Sequence, residues 1–548
     1  MRYSPVPTQK AGRMNRRTFV KAMLAAPLYG LLMQGCTSQV DRIKRGRFTS
    51  ASATEMSTMD MAHNDSVYWA PLNIFDRLFE TRMVDGKAKV LNSLCTDHSI
   101  SDDGLTYDFT IRDDVQFSNG DPLTSSDVCY SFSRLLTEAA VNTDIPLQIK
   151  GGKALMDKKA DKLEGFKITD DTHFSIVLEA PNGGFLAELS SPAMSIVNER
   201  VTRTAKNFGM DPAETIGSGP YYVSEWVPND HFVLKYNERY WGEEPTVKEA
   251  VQRIIPDAST QDLMFQNGEI DLIDLSSVDS LIVQRSYKPE HPDKIVRNQQ
   301  VGMTYLALNE TNKFLKDIRV RKAICAAIDM DDIVHNLMSG DAIRQNGIIP
   351  TGIWGHNEHL EPSPYDPDGA RALLKEAGYH DGDVSFELAL SSAGSKLLYE
   401  TVSSQLAKVG IKANIKAYDR SAWMEKRLAG ELDAFIAPWF MDYNDPANIM
   451  AVFFGTPERS KGRSICYPNT DVMERVLKAK SILDDEERKK EYQELERKIV
   501  IEDRAWIPLY QGMRLFCLGE RVERFTPFWA GYGDFCVKDV VLRKEVRA

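Results

Sequence analysis

Residues 384–437 read VSFELALSSAGSKLLYETVSSQLAKVGIKANIKAYDRSAWMEKRLAGELDAFIA, and the hydrophobic period changes four times along them. Residues 384–390 alternate apolar and polar side chains, which predicts a half-buried strand. Residues 396–409 carry a helical period closed by Gly410, and 411–417 alternate again. Residues 421–429 predict a second helix closed by Gly430, and 432–437 form a short apolar run that reads as a buried strand. Strand, helix, strand, helix, strand in succession implies parallel pairing through right-handed crossovers, and hence an α/β fold.

In open α/β sheets, ligands sit outside the carboxyl ends of the strands. Past the third strand comes Trp439-Phe-Met-Asp442-Tyr443-Asn-Asp445-Pro446. Asp442 therefore stands at a strand end among aromatic residues, before a turn set by Asn444, Asp445 and Pro446. A partly apolar surround is a poor place for a free carboxylate. It is a good place to hold an ammonium group, because low dielectric strengthens the pairing. The competing reading is an aspartate that caps its own loop backbone.

A related unit lies upstream. Residues 251–256 predict a strand, 259–267 a helix and 270–275 a strand, and Asn-Gly-Glu-Ile-Asp-Leu at 267–272 echoes Ala-Gly-Glu-Leu-Asp-Ala at 429–434. Two lobes built from similar α/β units would explain the echo. Residues 48–71 suggest a strand and a cleft loop, and 72–80 a short helix. Residues 471–502 read as two charged helices broken near Asp484, and the aromatic stretch from Trp506 returns to the first lobe.

The 548 residues suggest two or three domains, and that length can bury large cores without disulfide staples. Composition, 43% hydrophobic and 27% charged, is that of a soluble globular protein. A net charge of −12 argues against nucleic acid as a partner. Seven cysteines occur with no C-x-x-C pair and no Cys/His cluster at zinc spacing, so neither a structural metal nor a cofactor is expected. No P-loop, G-x-S-x-G or H-E-x-x-H string is present, so no catalytic residues are assigned and the reading is not an enzyme. His356 and His359 lack a nameable third ligand and read as a polar loop rather than a metal site.

The N-terminal segment reads as an address. Arg16 and Arg17 precede a short apolar run, residues 22–33, too short to span a bilayer and fitting a signal peptide over 1–35. The string Asn15-Arg-Arg-Thr-Phe-Val-Lys21 resembles a twin-arginine export signal. Leu32-Met-Gln-Gly-Cys36 resembles a lipobox, with cleavage before Cys36 and lipid on its sulfur. Met14 offers a second start. Removing 1–35 takes away six basic residues and no acid, lowering the charge from −12 to −18. Residues 36–47 then form a basic tether able to lean on anionic headgroups. Cys517 and Cys536 are candidates for a disulfide that sequence alone does not decide.

Residues 101–135 carry the clearest family string. Asp102-Asp103-Gly104 is a turn, 105–111 an alternating strand, Asn119-Gly-Asp-Pro122 a second turn, and Thr124 with Asp127 a capping-box start for a helix. This string resembles the signature of the large extracellular solute-binding proteins of the peptide/nickel class, which serve ABC importers. Ile216-Gly-Ser-Gly-Pro-Tyr-Tyr222, Asn237-Glu-Arg-Tyr-Trp241, Asp317-Ile-Arg-Val-Arg-Lys-Ala323 and Tyr365-Asp-Pro-Asp368 extend the match over nearly all of the mature chain.

The resemblance implies a two-lobed fold of the periplasmic-binding-protein kind, with mixed sheets flanked by helices and an extra inserted domain. It implies a first domain near 48–76, 213–305 and 510–548, a second at 77–212 inserted in it, and an opposite lobe at 306–509. It also implies a monomeric binding lipoprotein outside the cytoplasmic membrane that captures peptides for permease subunits driven by separate ATPases. In oligopeptide-binding members the aspartate of a W-x-x-D-Y-N-[DE]-P string holds the peptide α-ammonium, and here that residue is Asp442. Trp439 is then a pocket wall or a core aromatic, and Tyr443 and Asp445 are site candidates, Asp445 chiefly as a turn former. Tyr305, at the expected crossover between lobes, is a candidate cleft residue. Ile436 stands where some members carry an arginine for the ligand carboxylate, which leaves ligand length and C-terminal recognition open. Another solute, such as a nickel chelate, an opine or an oligosaccharide, is the alternative. A periplasmic enzyme or folding factor on this scaffold is the more distant one.

Overall fold

The computed structural model describes residues 46–64, 67–137, 140–277, 283–392 and 394–544. The strand–helix succession folds as its periods require. Strand Ser385–Ser391 pairs parallel with Lys412–Tyr418, Ser385 opposite Lys412, and meets Ala434–Phe440 in parallel at Leu388 and Ala434. The crossover helices Lys396–Ala407 and Arg420–Ala429 open on Ser395 and Asp419, whose side chains accept the amides of Leu398 and Ala422. These caps satisfy amides that a helix start otherwise leaves unpaired. Gly430 closes the second helix at φ +78°, a left-handed conformation that a side chain would strain. Leu398, Val402 and Leu406 of the first helix share one core with Phe386, Leu388 and Ile411 of the strands.

The echoed sequence marks the same corner built twice. Helix Ala258–Gln266 runs through Gly268 (φ +69°) into strand Leu272–Asp274, as Arg420–Ala429 runs through Gly430 into Ala434–Phe440. Asp271 takes the Thr49 amide on its carboxylate at 2.8 Å, and Asp433 takes the Glu387 amide at 3.1 Å. Each aspartate thus pins the neighbouring strand to the corner of its own lobe.

Both lobes hang on one strand. Trp506–Leu518 pairs antiparallel with Gly302–Leu308 and Ala342–Arg344 over its first half, and with Ile295–Gln299 and Leu272–Asp274 over its second. On one side the sheet continues through Ala434–Phe440, Ser385–Ser391 and Lys412–Tyr418. On the other it continues through Arg47–Ser52, Glu249–Ile254, His231–Tyr236 and Tyr221–Val227. Partners change at residues 510–513, where fully buried Gln511 donates to the carbonyls of Gln300 (2.7 Å) and Thr351 (3.0 Å). A buried amide must be paired, and these bonds fix the chain at the crossover.

A four-stranded antiparallel sheet, Cys95–Ile100, Thr106–Ile111, His173–Val177 and Phe166–Ile168, forms a separate layer with helix Ser125–Thr137. The alternation of Tyr107, Phe109 and Ile111 puts all three in its core. Asp127 accepts the Thr124 amide at 2.9 Å, the return half of a capping box.

Three expectations need revision. Residues 72–80 are not one helix: the helix is Trp69–Ile74, and Phe79–Val84 begins a hairpin with Lys87–Asn92, so strand pairing overrides local propensity. The strand read as 432–437 runs on to Phe440, because Gly302 and Met303 pair with Phe440 and Trp439. The stretch from Trp506, read from its aromatics and turn residues, opens with the long shared strand. The charged segment does divide as expected, into Thr470–Ala479 and Asp485–Arg497, with Asp484 capping the second helix.

Candidate functional site

A cleft of about 1030 Å³ opens between the lobes. Its walls carry Ser50, Tyr68 and Arg514, Asp144 and Glu188, and Trp439 and Asp442. The extended strand Ala434–Phe440 sets this geometry. It carries Trp439 to the cleft edge and releases the chain so that Asp442 stands just beyond the sheet.

Asp442 is half-buried and held from three sides. Tyr532 Oη donates to Oδ1 at 2.8 Å, Asn448 Nδ2 donates to Oδ2 at 3.2 Å, and the Asp442 amide donates to Asn448 Oδ1 at 3.3 Å. Burial raises its carboxyl above the usual carboxylate range, against the opposing pull of these hydrogen bonds and of Arg463. Among the described residues no cation makes an ion pair with it. Trp439 donates its indole N–H to the same Asn448 Oδ1 at 3.2 Å and packs edge-on against Phe453 at 5.0 Å, so it serves both as cleft wall and as core neighbour. Tyr443 also lines the cleft. Burial of Asp534 behind Tyr68, whose amide it accepts at 3.0 Å, pushes that carboxyl up to about 6.

Two of the residues singled out by sequence lie elsewhere. Tyr305 is 1% exposed and does not reach the cleft. Its ring centroid lies 4.1 Å from that of Trp506, with Phe435 and Phe453 also against it. The residue sits mid-strand, where side chains alternate faces, and it takes the core face. Asp445 is also buried. It accepts the Ala447 amide at 2.9 Å and pairs with Arg488 at 2.5 Å, so it shapes the turn beneath Asp442. Ile436 packs in the opposite-lobe core.

His356 bonds the Ile349 carbonyl through Nδ1 at 2.7 Å, consistent with a structural loop residue. Cys517 and Cys536 are free thiols rather than a disulfide. Cys36 and the signal lie outside the described residues. Among those described, no helix is long and apolar enough to cross a membrane.

Sequence reasoning passed over Asn448, Tyr532, Arg427 and Arg463. The first two meet Asp442 only through tertiary packing. Arg427 did carry a signal, because Arg420, Trp423 and Arg427 fall on one helical stripe, and both arginines of that stripe line the cleft.

The sequence profile of bacterial extracellular solute-binding proteins, family 5 Middle, matches residues 89–461. The chain belongs to that family. This family 5 protein is 26% identical over 482 residues to heme-binding protein A of Haemophilus influenzae, covering 84% of this chain and 86% of the relative. It is 28% identical over 473 residues to glutathione-binding protein GsiB of Salmonella typhi, covering 81% and 85%. Its fold matches the periplasmic binding protein DppA of Helicobacter pylori, solved in complex with the peptide STSA. There the TM-score is 0.74 and the identity 26%, over 92% of this chain and 99% of that one. The family 5 protein is therefore an extracytoplasmic substrate-binding component of an ABC importer, and not an enzyme. Its fold is the two-lobed mixed α/β fold of periplasmic binding proteins with additional small sheets.

Proposed function

We propose that this protein captures peptides between its lobes and passes them to membrane permease subunits driven by separate ATPases. In this reading Asp442 holds the peptide α-ammonium. The observation that carries it is the state of that carboxylate, which lines the cleft, accepts hydrogen bonds only from neutral donors and has no ion-pair partner among the described residues. An incoming ammonium supplies the missing charge in a site where little water competes. Trp439 and Tyr443 wall the site, and main-chain hydrogen bonds to an extended peptide would add affinity without side-chain selectivity. The lobes correspond to residues 48–76, 213–305 and 510–548 with 77–212 inserted, and to 306–509. Cys36 carries lipid that tethers the exported monomer to a membrane.

Relatives named for heme and glutathione make another solute the competing reading. Calorimetry separates the two. Removing one partner of a desolvated charge pair costs about 3–5 kcal/mol, so Asp442→Ala should weaken peptide binding at least about a hundredfold. Asp442→Asn should fail nearly as badly, since it keeps the shape and loses the charge. An Nα-acetylated peptide should bind the unmutated protein equally poorly. Equal affinity for the free and acetylated forms would remove Asp442 from this role.

A further inference from the structure

Gly104, Gly183 and Gly184 lie against one stretch of chain, residues 482–488, and against the Asp445 that Arg488 holds. A Cβ on Gly183 would lie 2.6 Å from the Ile482 carbonyl oxygen and 3.1 Å from Arg488 Nε. One on Gly184 would lie 2.6 Å from the Asp445 carboxylate, and one on Gly104 2.5 Å from Leu483 Cδ2. Neither Gly183 nor Gly184 has the positive φ that favours glycine, so it is the close approach that leaves no room for a side chain.

The two sides of this join belong to different cores. Tyr107, Phe185 and Leu189 pack within the four-stranded layer, whereas Val476, Ala479 and Tyr492 pack with Phe435 of strand Ala434–Phe440. Across the join, the Gly183 amide donates to the Lys480 carbonyl at 3.0 Å and Lys480 Nζ pairs with Glu188 at 2.6 Å. Polar joins between separately packed bodies part readily. Each side also keeps partners of its own. Glu188 Oε2 accepts from Gln148 Nε2 at 2.7 Å and Asn182 Nδ2 at 3.1 Å, and Asn182 Oδ1 accepts the Gly184 amide at 2.9 Å. Arg488 keeps Asp445 and the Trp354 ring. Parting therefore strands no buried charge, which is the condition for a reversible join.

We propose that Gly183 and Gly184 form a notch that stands open in the ligand-free protein and receives Arg488 when the lobes close. Arg488 is then a positioning residue. It seats in the notch and also holds Asp445, in the turn that carries Asp442. Shutting the notch steadies the carboxylate site from outside it, since Gly183, Gly184 and Arg488 are not among the cleft-lining residues. The coupling to a bound peptide rests on the preceding reading, whereas the opening of the notch stands on its own contacts.

The test substitutes Gly183→Ala in the full chain and reads the protein first without and then with peptide. In an open notch the new methyl meets no neighbour and alanine restricts only the unfolded chain, so the urea midpoint of the ligand-free protein should hold or rise slightly. In a notch that is always shut the methyl meets a backbone carbonyl, and the midpoint should fall. The acceptor of the Gly183 amide lies across the join. In the unmutated, ligand-free protein that amide should exchange freely with deuterium, and an excess of mixed tri- to pentapeptides should slow it at least about tenfold. The variant should release those peptides at least about tenfold faster, with association little changed. A lowered ligand-free midpoint, or a Gly183 amide already protected without peptide, would overturn the open notch. Peptides that bind by calorimetry yet leave Gly183 unprotected would overturn the coupling and leave Asp442 standing. Peptides that bind neither protein would overturn the peptide reading and the coupling with it, while the ligand-free measurements still decide the notch.

Discussion

Glu496 is 1% exposed, on the inner face of helix Asp485–Arg497, and accepts the Ile349 amide at 2.7 Å. Burial pushes its carboxyl up to about 7, so the folded protein holds a proton that the unfolded chain releases near the ordinary glutamate value. Between those two values the folded state binds more protons, and stability falls as pH rises through the window. Glu496→Gln keeps the acceptor and removes the ionisation. It should stabilise the protein at pH 8 by on the order of 2 kcal/mol and change little at pH 4.5, read from urea midpoints at the two values. An equal shift at both would contradict burial as the cause. At this scale the sequence is informative where a residue's place follows from its own strand. Asp442 was legible because it follows a strand end, and Tyr305 was misplaced because one residue of register decides between core and cleft.

Among the elements, the turn at 442–446 depends on a distant helix. Arg488, from Asp485–Arg497, reaches Asp445 and lays its guanidinium 4.0 Å over the Trp354 ring. Gly184 makes room for this, since a Cβ there would lie 2.6 Å from the Asp445 carboxylate. Arg488→Met leaves that carboxylate buried and alone and should cost about 3–5 kcal/mol. Adding Asp445→Asn should recover much of the loss, because both charges are then gone. The shift of the unfolding midpoint for the single and double variants measures this, and a double variant no better than the single would refute it. No sequence pattern pairs residue 445 with 488. The repeated Gly-Glu-x-Asp corner was readable because the same backbone demands recur: a left-handed helix stop and an aspartate for a neighbouring strand's amide.

Across the whole molecule, the lobes touch on the cleft's rim as well as at the crossover. Lys480 pairs with buried Glu188 at 2.6 Å, Asn444 donates to the Ala88 carbonyl at 2.7 Å, and Tyr532 bonds Asp442. A ligand that touches both walls favours the arrangement in which these contacts form. Saturating peptide should therefore reduce the radius of gyration in small-angle scattering. No change, with binding verified by calorimetry, would count against hinge closure. Fold class was legible at this scale because many ordered motifs agree. The sharing of one strand by two lobes was not, since pairing partners some two hundred residues away leave no local trace.

That shared strand also sets an order of events during synthesis. Arg47–Ser52 is among the first elements made, and its sheet reaches only as far as Leu272–Asp274 until residues 514–518 emerge. Gly302–Leu308 likewise waits for residues 506–510 to cover its open side. Between the emergence of residue 308 and that of residue 506 the nascent chain thus displays two unpaired strand edges, which favour mispairing between chains. Ribosomes stalled before residue 506 should hold protease-sensitive intermediates. A chain lacking its last tenth would need a chaperone rather than a ligand.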